Sequence, residues 1–454
     1  MLKREITATF AGNAVAAIFS LGNAIILARV LGPSDRGLLG LALLIPAITA
    51  TFCTLGQEMV NATFAGLYKD KRSSIFQQSL IVTFFGSLVS IAAICAFYFW
   101  LPINRGQFDQ LGTELVWLSC LVAPVLIFSA LAVALVRGVG RVTTSAVIGV
   151  VQSVIFFGLL LVFLVWGRGE LKAALVLTAL SPLVAVALSI WVLRSYITLR
   201  MSDFSASLFK KSIRFGVQIS LTSFATFLVY RLNQGILAYK VSAEQVGFYV
   251  VAVSIAERLR MLPNSVAGAF LPRLANELSS RQLQVPMIFR YTTIVSTGSI
   301  LLVGILGVPT IIVLFGQEYS GTIPSFLLLL PGVAALGGAS VLCGDLAVRE
   351  KPKYGMWISY SVLTVNIALN FCLIPFMGIA GAALASTISY ILACCMAILF
   401  YLHESRVPLK EMMPRWKDTI YVFSILISMI RQTVIFGKGK LESIGSMIIR
   451  KQQV

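Results

Sequence analysis

The chain of 454 residues carries little charge, and little of that is acidic. Charged residues make up 12% of it, with 18 Asp and Glu against 36 Lys and Arg. A soluble chain carries about 25% charged residues. Hydrophobic residues reach 58%, more apolar surface than an aqueous fold can hide, so the bilayer is the expected solvent. The one histidine, His403, lies just past an apolar run without partner ligands, which leaves no imidazole-based metal site. Seven cysteines (Cys53, Cys95, Cys120, Cys343, Cys372, Cys394 and Cys395) form no C-x-x-C pair and read as buried thiols. No G-x-x-x-x-G-K-[ST] loop occurs, so an ATPase site of that kind is excluded. With no carboxylate cluster and no large aqueous segment, the chain is expected to be no enzyme and to need no cofactor.

What is present is a series of apolar runs. A bilayer core of about 30 Å needs about 20 apolar residues in a helix. Twelve runs qualify, at about 6–30, 38–59, 77–100, 115–136, 143–166, 171–193, 215–238, 247–270, 288–315, 323–347, 356–375 and 379–402. The short link at Phe376–Gly378 marks a tight helical hairpin. The first run is too long for the apolar core of a cleaved signal peptide.

The net charge of +18 would suit nucleic acid in a soluble protein. Here Lys and Arg lie mostly between the apolar runs, where they set topology, and no nucleic-acid partner is expected. The N-terminus and alternate loops after it hold 18 Lys and Arg, and the other loops hold 6. The tail from Arg406 adds nine to the richer side. Both termini are therefore expected in the cytoplasm. Ile420–Ile430 is apolar but spans only about 16 Å as a helix, too short to cross. Flanked by Arg415, Lys417 and Arg431, it is expected to lie in the interface, with a partial thirteenth helix as the alternative.

One stretch occurs twice. Asn23–Ile45 (NAIILARVLGPSDRGLLGLALLI) aligns without a gap with Asn233–Ile255 (NQGILAYKVSAEQVGFYVVAVSI), with 7 of 23 positions identical. A weaker echo links Val136–Arg141 with Val348–Lys353. Two six-helix halves entering from the same side follow, and transporters bind substrate between such repeats. The expected organisation is residues 1–193, a basic linker 194–214, residues 215–402 and a basic tail 403–454. Polar stripes on the first helix (Thr9, Asn13, Ser20, Asn23) and the seventh (Gln218, Thr222, Thr226, Tyr230, Asn233 or Gln234) point to a wet cavity between the halves. Interhelical glue is the alternative for each residue.

Charges inside the membrane are rare and default to function. Helix 7 carries Arg231, and helix 8 carries Glu257, Arg258 and Arg260. Glu257 lies ten residues past Gly247, about 15 Å deep at helical rise. Arg29, Glu58 and Asp345 sit near helix ends, where snorkelling is the alternative. Arg231 and Arg258 have no local carboxylate in sequence, and a guanidinium grips phosphate in a fork. The candidate substrate residues are Arg231, Arg258, Arg29, Arg260, Asn23 and Asn233. Glu257, Glu58 and Asp345 are the candidates for coupling or gating.

Three stretches carry a family resemblance. Ile26–Pro46 (ILARVLGPSDRGLLGLALLIP) resembles the first-hairpin signature of bacterial polysaccharide flippases. Val246–Ala275 resembles their helix 8 signature, and Leu369–Leu392 their last hairpin. The chain thus resembles the Wzx-type flippases of lipid-linked oligosaccharides, in the multidrug/oligosaccharidyl-lipid/polysaccharide exporter superfamily. The resemblance implies an all-α membrane protein of twelve helices, with two six-helix lobes in a V around a cationic cavity, MATE-like in architecture. It also implies an undecaprenyl-diphosphate-linked oligosaccharide as substrate, moved by alternating access from the inner to the outer leaflet of a bacterial cytoplasmic membrane. The protein would act as a monomer, with a polysaccharide polymerase and other assembly proteins as partners. Many members carry an Asp on helix 7 near the place of Asn233 or Gln234. That departure weakens a cation or proton site on helix 7. A drug or cation antiporter of the same superfamily is the alternative function, but it should need buried carboxylates, and the deep charges here are largely basic.

Overall fold

The computed structural model describes residues 2–100, 106–166, 170–198, 203–259, 281–349, 351–421 and 424. Eleven α-helices are described: α1 (Leu2–Cys53), α2 (Gln57–Leu67), α3 (Arg72–Cys95), α4 (Gly112–Gly138), α5 (Val142–Trp166), α6 (Leu171–Leu193), α7 (Ala206–Leu237), α8 (Ala243–Leu259), α9 (Arg281–Phe315), α10 (Thr322–Val348) and α11 (Pro352–Ser405). No strand occurs among the described residues. Among the described residues, nine helices are long and apolar enough to cross a membrane. A helix satisfies every backbone group within its own segment, which hydrocarbon requires.

Two of these helices are hairpins. α1 reverses at Gly32, where φ is 72° and ψ 174°. Residues before it run beside α5, with Gly12 against Ala146 and Gly22 against Phe157. Residues after it run back along α7, with Gly40 against Gln234 and Phe52 beside Phe224. Pro33 follows the turn, at the helix start where its missing N–H goes unnoticed. α11 reverses at Gly378 (φ 55°), where the expected link at Phe376–Gly378 lies, and Gly381 packs on the Leu373 carbonyl. A φ near +70° suits glycine alone. Gly32 has open space around its Cα, so Gly32→Ala should cost only the backbone strain, about 1–3 kcal/mol. Thermal unfolding of the purified variant checks this, and a much larger loss would mean that the turn is crowded.

The helices overrun the apolar runs at the basic end. α7 starts at Ala206, not near 215, with the Ser205 hydroxyl accepting from the Leu208 N–H as N-cap. Lys210, Lys211 and Arg214, expected in a linker, therefore lie on a helix. A helix can continue into the headgroup region because long basic side chains reach water from its surface. The run from 38 is broken at Thr54–Gly56, where Leu55 and Gly56 have φ of 48° and 68°, and resumes as α2.

Helices α1–α6 pack on one another, and so do α7–α11. Between the groups, α1 lies on α7 and α8, and α2 on α7. A large apolar core runs through both groups, including Ala28, Leu39, Leu41, Leu237, Val246, Tyr249 and Phe326. The groups meet at the basic end, where a Cβ on Gly56 would lie 2.1 Å from the Gly216 carbonyl oxygen, and they are closed as well at the end poor in Lys and Arg. There the Gln107 N–H donates to the Ala238 carbonyl at 2.8 Å, and the Tyr319 hydroxyl to the Ala28 carbonyl at 2.8 Å.

Candidate functional site

Beneath that closed end, α7 and α8 bring Arg231 and Glu257 together, with Arg231 Nη2 3.6 Å from Glu257 Oε2. Both side chains stay about one-third open, 36% and 31%. Arg231 also lies over the Phe227 ring. One residue on, Arg258 reaches across to α1. Its Nη2 donates to the Ser20 carbonyl at 2.8 Å and to Ser20 Oγ at 2.9 Å, and its Nη1 donates to the Ser254 carbonyl. A guanidinium has five N–H donors, so Arg258 is held firmly and keeps donors to spare.

A third arginine joins them. Arg36 is half-buried in the returning part of α1, and its electrostatic neighbours are Tyr319, Arg258 and Arg231. Its Nε is buried with no hydrogen-bond partner among the described residues. The sequence places Arg36 in a polar link and offers no sign that it turns back toward the membrane. Only the reversal at Gly32 brings it over α8. Arg231 and Arg258 thus flank one carboxylate, Glu257, with Arg36 within electrostatic reach of both arginines, and positive charge is left over. In a low-dielectric site that surplus attracts anions far more strongly than in water.

The other candidates lie elsewhere. Arg29 donates through Nε to the Leu314 carbonyl at 2.7 Å and through Nη2 to the Val313 carbonyl, capping the negative end of the α9 dipole. Asn23 is buried and donates to the Ser153 carbonyl on α5 at 3.3 Å. Asp345 is fully buried and pairs with Arg349 one turn on, at 2.5 Å. Glu58 opens α2 in the exposed part of its first turn, with Arg137 as electrostatic neighbour. Arg260 lies outside the described residues.

Asn233 does not face the arginines. Its Nδ2 donates to the Tyr249 hydroxyl at 3.0 Å and to Ser386 Oγ at 2.5 Å. Its Oδ1 accepts from Asn370 Nδ2 at 2.7 Å, and Asn370 in turn meets Asn366, which donates to Ser389 Oγ. Thr226 lies 3.0 Å from Ser359, and Tyr230 packs on Tyr390. Three residues of the expected helix 7 stripe, Thr226, Tyr230 and Asn233, therefore bind α7 to α11, while Gln218 is exposed and Gln234 lies against Gly40 of α1. Amides in an apolar interior seek each other as readily as water. Asn233→Leu, near in volume, should leave Tyr249 and Asn370 each short of a partner and lower stability by about 1–3 kcal/mol. Unfolding of the purified protein measures it. Ser386→Ala should add less in the double variant than alone, since both act on one network.

A small cleft adjoins Glu257, lined by Tyr230, Val253, Ala256, Leu329, Val333 and Tyr390. Among the described residues no cluster of His, Cys, Asp and Glu could hold a metal ion.

The fold is that of known transporters. The lipid II flippase MurJ in an inward closed conformation superposes with a TM-score of 0.72 at 13% identity, covering 93% of this chain and 92% of that one. An inward-facing multidrug resistance MATE family transporter of the MOP superfamily gives 0.66 at 14% identity, over 88% and 98%. A MOP superfamily transporter from Pyrococcus furiosus gives 0.60 at 15% identity, over 89% and 95%. At such identities the likeness is one of fold. In sequence, the chain is 27% identical over 186 residues to the probable flippase AglR of Haloferax volcanii, a match spanning 37% of each protein. The family of polysaccharide biosynthesis proteins matches residues 2–277, including the first hairpin, the arginines and all of α8. The chain belongs to that polysaccharide biosynthesis protein family.

Proposed function

We propose that this protein is a flippase for a lipid-linked oligosaccharide, moving an undecaprenyl-diphosphate-linked sugar from the inner to the outer leaflet of a bacterial cytoplasmic membrane. The observation that carries the reading is the surplus of arginine over carboxylate where Arg231 and Arg258 flank Glu257 beneath the closed end, with Arg36 within electrostatic reach at that end, in a chain of a polysaccharide biosynthesis family. A diphosphate needs forked donors, the sugars need a wet space, and the polyprenyl tail can stay in lipid between the groups.

On this reading the chain crosses the membrane twelve times in two lobes, α1–α6 and α7–α11, with the basic loops and both termini in the cytoplasm. The end poor in Lys and Arg then faces outward. Residues 403–454 form an inner-surface tail, and the protein works as a monomer beside the polymerase that consumes its product. An antiporter would need a free carboxylate for its cation, whereas Glu257 at the cluster is faced by Arg231.

Depletion in a cell that makes the polymer should halt surface polysaccharide and trap the lipid-linked oligosaccharide on the cytoplasmic face. A membrane-impermeant sugar-modifying reagent applied to right-side-out and inverted vesicles reads that distribution. An unchanged distribution, with altered drug tolerance instead, would favour the antiporter.

A further inference from the structure

At the basic end of the first group, two arginines hold one tyrosine. Arg72 opens α3, Arg141 stands just before α5, and Tyr196 follows the end of α6. Arg72 Cζ lies 5.5 Å from the centre of the Tyr196 ring, and Arg141 Nε donates to the Tyr196 hydroxyl at 2.9 Å. Arg72 Nε donates to the Ala65 carbonyl at 2.9 Å, in the last turn of α2. Each guanidinium is thus fixed through Nε, and its Nη groups have no partner among the described residues. The Tyr196 hydroxyl accepts from Arg141 and keeps its own hydrogen to donate. Two forks and a phenol hydrogen are left open at one place.

The second half of the chain treats its basic turn differently. Val136–Arg141 is the counterpart of Val348–Lys353. There Arg349 pairs with Asp345 at 2.5 Å, and Lys351 with Glu404 at 3.6 Å. Neither Arg72 nor Arg141 forms an ion pair among the described residues. Asp203, on the segment after Tyr196, accepts instead from Thr198 Oγ1 at 2.6 Å. Like charges held on one ring repel each other, and an anion between them turns the repulsion into attraction.

The surface around the three residues faces lipid. Val142, next to Arg141, is exposed, and so are Ile190 and Trp191 near the end of α6. The Arg194 guanidinium lies over the Trp191 ring, 5.1 Å from its centre. An exposed tryptophan beside an arginine marks the level of the headgroups, and Tyr196 follows five residues later. An anion that reaches this rim from the apolar side arrives on a lipid.

We propose that Arg72, Arg141 and Tyr196 form a binding site for the phosphate of an anionic lipid headgroup, apart from the arginines of α7 and α8. Guanidinium grips phosphate oxygens in a fork, and basic pockets between membrane helices hold such headgroups. The headgroup ties the turn between α2 and α3 to the ends of α5 and α6. Its placement in the inner leaflet rests on the orientation proposed above, while the site itself does not depend on the transported substrate. Two lipids carry this chemistry: bulk anionic phospholipid and a polyprenyl diphosphate carrier.

Binding of radiolabelled phosphatidylglycerol to the purified full-length protein in nonionic detergent tests the site. Arg141→Gln should weaken binding about tenfold, the loss of one charge-assisted hydrogen bond, and Arg72→Gln with Arg141→Gln should weaken it further. Tyr196→Phe, which keeps the ring and removes the hydroxyl, should weaken it by less. Lys353→Gln, the counterpart of Arg141 in the second half, should leave it unchanged. Unchanged binding in Arg141→Gln overturns the site, and so does an equal loss in Lys353→Gln, which would mean diffuse surface charge. Phosphatidylcholine, with a phosphate but no net charge, should bind much more weakly, and equal binding also overturns the site. Arg72 caps α2, so where its variant fails to fold, Arg141→Gln decides alone, because that exposed side chain caps no helix. Competition separates the sources. Displacement by undecaprenyl diphosphate at a far lower concentration than phosphatidylglycerol assigns the site to the carrier, and displacement only at equal or higher concentration assigns it to bulk lipid; both uphold it. Inorganic phosphate that displaces as well as the lipids do overturns a lipid ligand. None of these measurements uses translocation, so their failure leaves the flippase reading in place.

Discussion

Arg258→Ala should lower oligosaccharide translocation roughly 10–100-fold while the protein reaches the membrane at wild-type levels. Arg258 is the arginine held most firmly, with Ser20 and Ser254 fixing its plane. A donor fixed before the ligand arrives loses little freedom on binding. A charge-assisted hydrogen bond is worth about 1.5–3 kcal/mol, and each 1.4 kcal/mol is about tenfold in rate. Arg258→Lys keeps the charge but not the fork, so it should recover only part of the activity. Vesicle translocation rates at matched protein amounts measure the series. Full activity in the alanine variant would remove Arg258 from the site and leave it as a tie between α8 and α1.

Arg231 needs a different comparison, because its removal also strips Glu257 of its cation at 3.6 Å. Arg231→Ala mixes a lost phosphate donor with an uncompensated carboxylate, which repels the anion in its place. Arg231→Ala with Glu257→Gln separates the two effects. If the double variant is as slow as the single, the loss belongs to the donor. If it recovers, the loss came from Glu257.

The membrane-crossing pattern was legible because hydrocarbon thickness fixes how long an apolar run must be, and the Gly-Pro and Gly378 reversals sit where the runs break. The repeat was legible too, but its meaning was not. Sequence alignment gives equivalence, whereas contact between the copies at Gly37 and Gly247 is a property of how the halves dock. Arg36 was missed for a related reason. It stands among Pro33, Ser34 and Asp35, and only the sharp reversal at Gly32 turns it back toward α8, where its neighbour Gly37 meets Ala243 and Gly247. The helix 7 stripe was found, since a 3.6-residue period marks one face. The period does not say what that face meets, and α11 supplies Ser359, Asn370, Ser386 and Tyr390 against it. Arg29 and Asp345 were visible as charges near helix ends. Their partners, the α9 carbonyls and Arg349, occupy them with structural work.

Asp418→Ala should destabilise the protein more than the removal of Asp418 and Arg290 together. Arg290, counted in sequence as one more basic residue of an inner loop, is buried on α9, and Asp418 comes from the tail beyond α11. Arg290 Nε lies 2.6 Å from Asp418 Oδ2, with side chains only 9% and 11% exposed. Arg290 Nη1 also donates to the Glu411 carbonyl, and Arg415 closes the group on the Glu411 carboxylate at 2.6 Å. Removing one partner of a buried pair strands the other charge, at about 3–5 kcal/mol. Glu411 Oε2, 4.0 Å from Arg290, holds the effect toward the lower figure. Replacing both, as Arg290→Met with Asp418→Leu, removes the desolvation penalty along with the attraction and should cost far less. Denaturant unfolding of the purified variants gives the comparison, and protease access to Leu409–Tyr421 shows whether the tail stays docked. A double variant less stable than Asp418→Ala would mean that the ion pair contributes net stability, and that the tail is held by charge rather than by Met412, 2% exposed, and the tilted contact of the Tyr291 and Tyr421 rings.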